Sequence, residues 1–348
     1  MLITHPNPSL VQDSIKLAFR HLSREEFPAR QQLILNLINS GMIETDGFFI
    51  GIDNNTIVGV LISQLRPDGL IMIWHPVTSD NRSIQPFFKP LDDYAQSHKV
   101  PAIIMIVDKN QEIDEKTIFA NGFTYISDML MLVSNVSAAD EQLADNLQQN
   151  NLLSYKPKKP ELNNKDSRLQ FIPLPDITKI NENQNKIENN NTNYREQLIN
   201  VMSATYINTK DFPKLLVLTQ IEQILDEYQK NTFFRPELWF FVRKLSDSNG
   251  TDKKSDTNCD KNIGVLLLTD SPPDQIDLTY MGLIESERGQ GYSQEIIKFA
   301  KQTAINCGRK LVTTSVDEQN TAALKSYINY GFAAWDRKKI YTKIFNNH

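Results

Sequence analysis

Residues 287–294, ERGQGYSQ, hold two closely spaced glycines, Gly289 and Gly291. The stretch before them, residues 276–283 (IDLTYMGL), has the composition of a β-strand. The stretch after them, residues 295–306, carries apolar residues at helical spacing. A glycine turn between a strand and a helix exposes several backbone N–H groups at the positive end of the helix dipole. Such a turn binds a phosphate or pyrophosphate group without needing a lysine.

Two sequence patterns narrow the choice of phosphate ligand. Neither the Walker pattern G-x-x-x-x-G-K-[ST] nor the dinucleotide pattern G-x-G-x-x-G fits the chain. The turn instead matches R-x-x-G-x-[GAS], although the last position, Ser293, is more often glycine or alanine. Residues 320–332 match N-x-x-A-x-x-x-Y-x-x-x-G-F in full register. Both patterns, in this order, are those of the GNAT acetyltransferase superfamily, which residues 262–345 resemble.

The resemblance implies transfer of an acyl group, expected to be acetyl from acetyl-CoA, to the amine of a small-molecule acceptor in a ternary complex. The CoA pyrophosphate is expected at the backbone N–H groups of the glycine turn. A strand interruption near residues 282–284 is expected to aim further N–H groups at the thioester carbonyl. The expected cofactor-binding residues are Leu283, Ile284, Arg288, Gly289, Gln290, Gly291, Tyr292, Ser293 and Asn320.

Four other residues are candidates for the chemistry itself. The resemblance places Tyr327 as the general acid for the departing thiolate, although its spacing also fits a buried helix stripe. Asp277 begins the strand where some family members carry a glutamate base, and an exposed strand-end aspartate is the alternative. Tyr206 and Asp211 follow a predicted helix and are expected acceptor contacts or ordinary connection residues.

Composition limits the function classes. The 348 residues predict about two domains, and a net charge of -5 disfavours nucleic acid as a partner. No apolar run is long enough for a membrane span, and no signal peptide is recognised, so we expect no membrane partner. Two cysteines, Cys259 and Cys307, form no disulfide framework. A cytoplasmic protein is therefore expected.

Histidine is absent from residues 99–347. The second half of the chain therefore has no imidazole base of its own, and a metal site built from histidine and cysteine is not expected. The chain's five histidines are His5, His21, His75, His98 and His348.

The chain reads as two copies of one pattern, residues 1–135 and 168–348, joined by a polar linker at 136–167. Val107-Asp108 precedes Gly122-Phe123 by the same interval that separates Val316-Asp317 from Gly331-Phe332. At the constant offset that this sets, the glycine turn falls on residues 79–84, which contain no glycine, Tyr327 falls on Ile118 and Asn320 on Gln111. Trp74 in the first copy is expected to be a buried or interface aromatic.

We therefore predict two tandem GNAT-like α/β folds, each a mixed sheet flanked by helices. The first copy is degenerate, because it lacks the residues of both patterns, whereas the second copy carries them. This arrangement is similar to that of the mycothiol synthases. The copies are expected to pack as an intramolecular pseudo-dimer in a monomeric chain. Polar inserts at 181–193 and 246–261 are predicted to be loops. The rival functions are a non-catalytic acyl-CoA-binding or sensor protein, and a protein lysine or N-terminal acetyltransferase.

Overall fold

A computed structural model describes most of the chain. The described residues are 1–41, 43–79, 82–136, 167–174, 194–216, 218–231, 233–245, 262–271 and 274–345. The predicted linker, apart from its two end residues, and both predicted inserts lie outside these ranges.

The chain divides into two compact units. The first unit comprises residues 1–129, 214–227 and 337–348, and the second comprises residues 130–213 and 228–336. This division departs from the boundaries drawn at 135 and 168. The reason lies in pairing: residues 338–344 form a strand beside residues 102–108, and Thr219 donates a hydrogen bond to the Asp68 carbonyl oxygen.

The strands are β1 (Leu2–Thr4), β2 (Phe48–Asp53), β3 (Thr56–Leu65), β4 (Ile71–Trp74), β5 (Val77–Thr78), β6 (Ala102–Asp108), β7 (Thr124–Asn135), β8 (Leu169–Pro173), β9 (Trp239–Lys244), β10 (Asn262–Ser271), β11 (Gln275–Leu283), β12 (Leu311–Asp317) and β13 (Ala333–Ile344). The described helices are α1 (Val11–Ala18), α2 (Phe27–Asn39), α3 (Phe88–Ser97), α4 (Glu115–Ala120), α5 (Tyr194–Tyr206), α6 (Pro213–Leu216), α7 (Ile221–Lys230), α8 (Tyr292–Asn306) and α9 (Thr321–Asn329). Within the described ranges, no helix combines the length and apolar character needed to cross a membrane.

The sheet of the first unit is mixed and covered on both faces. Strands β1 to β4 pair antiparallel in chain order, β4 pairs parallel with β6, and β6 pairs antiparallel with β13. Alternate residues serve opposite faces: Phe49 packs with α3 and α4, whereas Phe48 and Ile50 pack with α1 and α2. Trp74 is buried in the second of these clusters, edge-on to Phe19.

The second unit repeats this plan. Strands β8 to β11 pair antiparallel in chain order, and β11 pairs parallel with β12 across the crossover helix α8. Helix α8 buries an apolar stripe, Ile296, Ile297, Ala300 and Ala304, in the main core cluster of this unit. Helix α5 packs on β10 and β11. The mixed α/β sheet expected for both copies is confirmed.

The two copies are not related by one constant offset. Helix α3 has 10 residues and α8 has 15, so the offset set by the strands fails at the helix start. Aligned from the helix starts, residues 288–293 correspond to 84–89 rather than to 79–84. Residues 84–89, IQPFFK, also contain no glycine. In either alignment, the first unit has no glycine at the positions that correspond to the glycine turn.

Close approach of β10 to β11 requires glycine at 264. A Cβ there would lie 2.3 Å from the carbonyl oxygen of Gly282, and a backbone atom cannot rotate away. We expect Gly264→Ala to lower the free energy of unfolding by about 3 kcal/mol. The control Gly308→Ala adds only backbone strain, because Gly308 has a φ of +69° with open space around it, and costs about 1 kcal/mol. Urea unfolding of both variants gives the comparison, and equal losses would contradict the close approach.

Candidate active site of the second unit

The glycine turn lies where the sequence places it, at the start of helix α8. Gly289 and Gly291 both have a φ of +78°, which glycine adopts readily and other residues adopt only with strain. Gly291 is the N-cap residue, and no side chain caps the helix there. The N–H groups at the start of this 15-residue helix therefore receive no cap from the N-cap residue itself. This geometry suits an anionic group.

The Arg288 side chain, which its motif predicts to bind the cofactor, is hydrogen-bonded within the protein. Its guanidinium donates to four main-chain carbonyl oxygens: those of Leu283 (3.0 Å), Asn208 (3.3 Å), Thr205 (2.8 Å) and Ile207 (2.8 Å). Three of these belong to the end of α5 and the residues after it, where the helix dipole favours a positive charge. Arg288 thus ties α5 to the end of β11 and leads the chain into the glycine turn.

Strands β11 and β12 stay together for only a short distance. Their parallel pairing covers residues 275–277 of β11 against 311–313 of β12. Beyond Asp277, β11 continues to Leu283 with β10 as its partner, while β12 continues to Asp317. The two strands therefore part at Asp277, and among the described residues the β12-facing edge of β11 has no strand partner from there on. The Thr314 hydroxyl of β12 still donates to the Leu278 carbonyl oxygen at 2.9 Å. We call this opening the fork.

A β-bulge lies just inside the fork. Leu267 of β10 stands opposite Tyr280 and Leu268 opposite Leu278, so Thr279 is the extra residue. This corrects the strand interruption expected near residues 282–284. The Ile284 N–H donates to the carbonyl oxygen of Ile263 at 2.9 Å. It is therefore already hydrogen-bonded, contrary to its expected role at the thioester.

Asp277 lies at the point of the fork. Its two carboxylate oxygens accept hydrogen bonds from the Thr313 hydroxyl and the Thr279 hydroxyl, both at 3.1 Å. Burial raises the pKa of Asp277, and the two threonine hydrogen bonds oppose part of that rise. A half-buried carboxylate with raised basicity, held by hydroxyls rather than by a cation, is suited to accept a proton.

Tyr327 is both a core residue and a polar group. Its side chain is 5% exposed and its ring lies 5.3 Å from that of Phe332, edge to face. Burial raises the pKa of the Tyr327 phenol well above its usual range, and a hydrogen bond with the Thr314 side chain opposes that rise. The charges of Asp211 and Asp277 raise the pKa of the phenol further. The phenol is therefore protonated at neutral pH.

Asp211 and Asn320 meet at the other side of the fork, where β12 ends. The Asp317 N–H donates to the Asp211 carboxylate at 2.9 Å, and the Phe212 N–H donates to the Asp317 carboxylate at 3.1 Å. The Asn320 side chain caps α9 by accepting from the Ala323 N–H and also bonds Asp211. Burial raises the pKa of Asp211, and the nearby Asp317 charge adds to the rise. Asn320 is thus used inside the protein, and two carboxylates share this corner.

Tyr206 lies against Tyr280 on the α5 side of β11. The two rings are 5.0 Å apart, and the Tyr280 hydroxyl bonds the Thr205 hydroxyl at 2.7 Å. Gly282 permits this contact, because a Cβ at that position would lie 2.6 Å from the Tyr280 hydroxyl. The structure therefore places Tyr206 beside the outer part of β11, with its hydroxyl engaged by Tyr228.

Comparisons with solved structures agree with this architecture. A GCN5-related N-acetyltransferase from Sphaerobacter thermophilus matches with a TM-score of 0.58 at 12% identity, over 99% of this chain and 95% of its own. The chain has the fold of GNAT acetyltransferases. The GCN5-related glucosamine N-acetyltransferase region of a fungal multi-domain GH3 β-N-acetylglucosaminidase matches with a TM-score of 0.55 at 12% identity, over 98% of this chain and 38% of that one. A tandem GNAT protein from the clavulanic acid biosynthesis pathway covers 100% of this chain and 99% of its own, at 12% identity and a TM-score of 0.49.

Sequence comparison alone finds no relative: no family model and no curated protein matches the chain. At such low identity to its structural neighbours, the fold is what the comparisons show.

Arg168 is a site residue that the sequence did not reveal. It donates to the Gln290 carbonyl oxygen at 3.0 Å and to Glu295, and its guanidinium lies 4.6 Å from the centre of the Tyr292 ring. It therefore places a half-exposed positive charge beside the glycine turn of the second GNAT unit. No motif contains it, because it follows the polar linker in sequence and reaches the turn only through the fold.

The raised pKa of Asp277 predicts a pH-dependent stability effect. The folded-state pKa of Asp277 lies above the ordinary 3.8. The carboxyl therefore makes its full contribution to stability below pH 3.8, and that contribution is lost as the pH rises through the folded-state pKa. We expect Asp277→Asn, which carries no charge, to unfold on the order of 2–4 °C higher than the natural chain at pH 7. The difference should shrink at pH 3.

Thermal unfolding at both pH values checks this expectation, with Asp274→Asn as the control. Asp274 is an exposed residue beside the same strand, so its replacement should change little at either pH. An Asp277→Asn chain that is less stable than the natural one at pH 7 would show that the carboxylate is a satisfied structural acceptor.

Proposed function

We propose that the protein is an acyl-CoA-dependent N-acyltransferase whose active site is the fork of the second unit. The acyl donor is acetyl-CoA, and the acceptor is the primary amine of a small molecule. One observation carries the proposal: parallel strands that part at Asp277 lie beside a helix start whose N–H groups have no side-chain cap. The gap between the strands is a slot for an extended acyl-bearing chain, and the helix start supplies hydrogen-bond donors for its pyrophosphate.

The residues around the turn fit a nucleotide-bearing thioester. The residues that would hold the pyrophosphate are Gly289 to Ser293, through their backbone, with Arg168 as a charged neighbour. Beyond Asp277, the β12-facing edge of β11 offers backbone N–H groups to the thioester carbonyl, and the bulge at Thr279 re-aims that edge. Arg288 contributes by holding the turn rather than by touching the phosphate.

The proposed reaction is direct attack. The amine nitrogen bonds to the thioester carbon, the carbon–sulfur bond breaks, and CoA leaves as a thiolate that takes up a proton. Tyr327 is assigned the role of proton donor, because its buried phenol keeps its proton at neutral pH. Asp277 is assigned the role of proton acceptor for the attacking amine, because its pKa is raised and no cation neutralises it among the described residues.

The acidic corner of the fork favours a cationic acceptor. The Asp211 carboxylate accepts from the Asp317 N–H, and the Asp317 carboxylate accepts from the N–H groups of Phe212 and Gln319, so two carboxylates lie in this corner. An ammonium group entering the fork would balance their charge, and loss of its proton to a carboxylate would make it nucleophilic.

A second function also has support. The Tyr327 hydroxyl is bonded to Thr314, and its ring packs against Phe332, which a purely structural tyrosine would equally show. On that account the second unit binds acyl-CoA without turning it over.

Replacement of Tyr327 separates the two functions. We expect Tyr327→Phe to lower kcat by roughly 10²–10⁴-fold, the usual worth of a positioned proton transfer. Acetyl-CoA affinity, measured by calorimetry as one site per chain, should change little. The control is Tyr330→Phe, which removes a hydroxyl near the end of the same helix.

The two variants are assayed with a panel of primary amines and acetyl-CoA. Equal turnover by the natural chain, Tyr327→Phe and Tyr330→Phe would show that Tyr327 is a structural core residue and not the proton donor. Tight acetyl-CoA binding by the natural chain with no turnover of any amine would favour the binding protein.

A further inference from the structure

The Arg168 side chain is fixed against the glycine turn by contacts with helix α8. Its Nη1 donates to the Gln290 carbonyl oxygen at 3.0 Å, and its Nε donates to the Glu295 carboxylate at 2.8 Å. The Arg168 backbone N–H donates to the other carboxylate oxygen of Glu295, also at 2.8 Å. The guanidinium carbon lies 4.6 Å from the centre of the Tyr292 ring. Two residues of α8 therefore set the position of this side chain.

The hydrogen bond from Arg168 sets the orientation of one peptide group in the turn. In a trans peptide, the C=O and the N–H of the next residue point in opposite directions. Because the Gln290 carbonyl oxygen faces Arg168, the Gly291 N–H points away from the guanidinium. That N–H is among the donors that the proposed function assigns to the pyrophosphate of acyl-CoA.

Glycine at 291 permits this peptide group to adopt either of two orientations. Gly291 has a φ of 78° and a ψ of 8°, close to the third residue of a type II turn at about +80° and 0°. A type I turn has about −90° and 0° at that place, because the preceding peptide group is turned over. Glycine adopts both signs of φ with similar ease, so steric repulsion does not choose between the two forms. The hydrogen bond from Arg168 favours one of them.

We propose that Arg168 is a positioning residue for acyl-CoA, because it holds the peptide group between Gln290 and Gly291 in the orientation that presents the Gly291 N–H to the pyrophosphate. The inference rests on the proposed acyl-CoA site of the second unit. A donor that is oriented before the ligand arrives binds it more tightly, since no ordering cost is added on binding. Arg288 acts elsewhere, on main-chain carbonyl oxygens at the end of β11 and after α5.

Arg168 also offsets a negative charge beside the turn. Glu295 lies in the first turn of α8, where its carboxylate would repel a phosphate group. The salt bridge between Arg168 and Glu295 leaves the pair neutral. Loss of the Arg168 side chain therefore has two consequences: the peptide group is released, and a carboxylate is left uncompensated.

Calorimetric titration of the full-length chain with acetyl-CoA measures the combined effect. Arg168→Met keeps a stem of similar length and removes every side-chain donor, and we expect it to weaken acetyl-CoA binding roughly 10-fold. Arg168→Lys keeps the charge and a donor, so it should restore most of the affinity. The charge-matched control is Lys310→Met, at an exposed lysine beyond the other end of α8, which should bind acetyl-CoA like the natural chain.

A double variant separates the peptide orientation from the charge. Arg168→Met combined with Glu295→Gln has no uncompensated carboxylate beside the turn, and the guanidinium is still missing from the Gln290 carbonyl oxygen. We expect this chain to bind acetyl-CoA roughly 5-fold more weakly than the natural chain, because the peptide group remains free to turn over. Full recovery of affinity would show that the charge alone matters and would overturn the positioning role.

Nuclear magnetic relaxation of the Gly291 amide tests the same claim without any ligand. We expect a rigid Gly291 amide in the natural chain and in Lys310→Met, and added motion at that amide in Arg168→Met. Thermal unfolding should occur within about 2 °C of the natural chain, because Arg168 is exposed. Identical relaxation of the Gly291 amide in the natural chain and in Arg168→Met would overturn the inference.

The titrations distinguish this inference from the proposed function. If the natural chain binds no acetyl-CoA, the proposed function fails and the inference falls with it. If the natural chain and Arg168→Met bind acetyl-CoA with equal affinity, the inference is overturned and the proposed function stands. Equal weakening by Lys310→Met and Arg168→Met would likewise overturn the inference alone.

Discussion

The short parallel pairing of β11 with β12 is the constraint on which the second unit's site depends. In the part of the chain that the structure describes, pairing stops at Asp277, so β11 keeps β10 as its partner on one side and has no strand on the other. Backbone N–H and C=O groups need partners when they are buried, and an edge left open inside a sheet is therefore a place for a ligand backbone or carbonyl. In the first unit β4 pairs with β6 up to Trp74, and the following strand β5 pairs with β3.

Burial at the fork also sets the protonation states there. Asp277 and Asp211 are carboxylates with raised pKa values, and the Tyr327 phenol keeps its proton for the same reason. Groups held this way cost stability, and stable proteins keep such groups at sites of function more often than elsewhere. Arg288, in contrast, stabilises the site. It donates hydrogen bonds to main-chain carbonyl oxygens and so fixes the end of β11 against α5.

Local patterns in the sequence predicted the local features of the site. Glycine spacing predicted the turn before α8, where Gly289 and Gly291 are left-handed in the structure, and the Asn320 pattern coincides with a helix N-cap. Features that depend on distant contacts could not be predicted. The bulge at Thr279 is set by the register with β10, Arg168 reaches the turn through the fold, and the shorter α3 breaks the constant offset between the copies.

Hydrogen–deuterium exchange of the full chain, with and without acetyl-CoA, tests the account most directly, because it reports on the amides of each unit separately. The account predicts slower exchange of the amides at residues 289–294 and along the open edge of β11 when acetyl-CoA is present. The amides of residues 84–89 in the first unit should exchange at unchanged rates. Protection at residues 84–89, or no protection at 289–294, would contradict it.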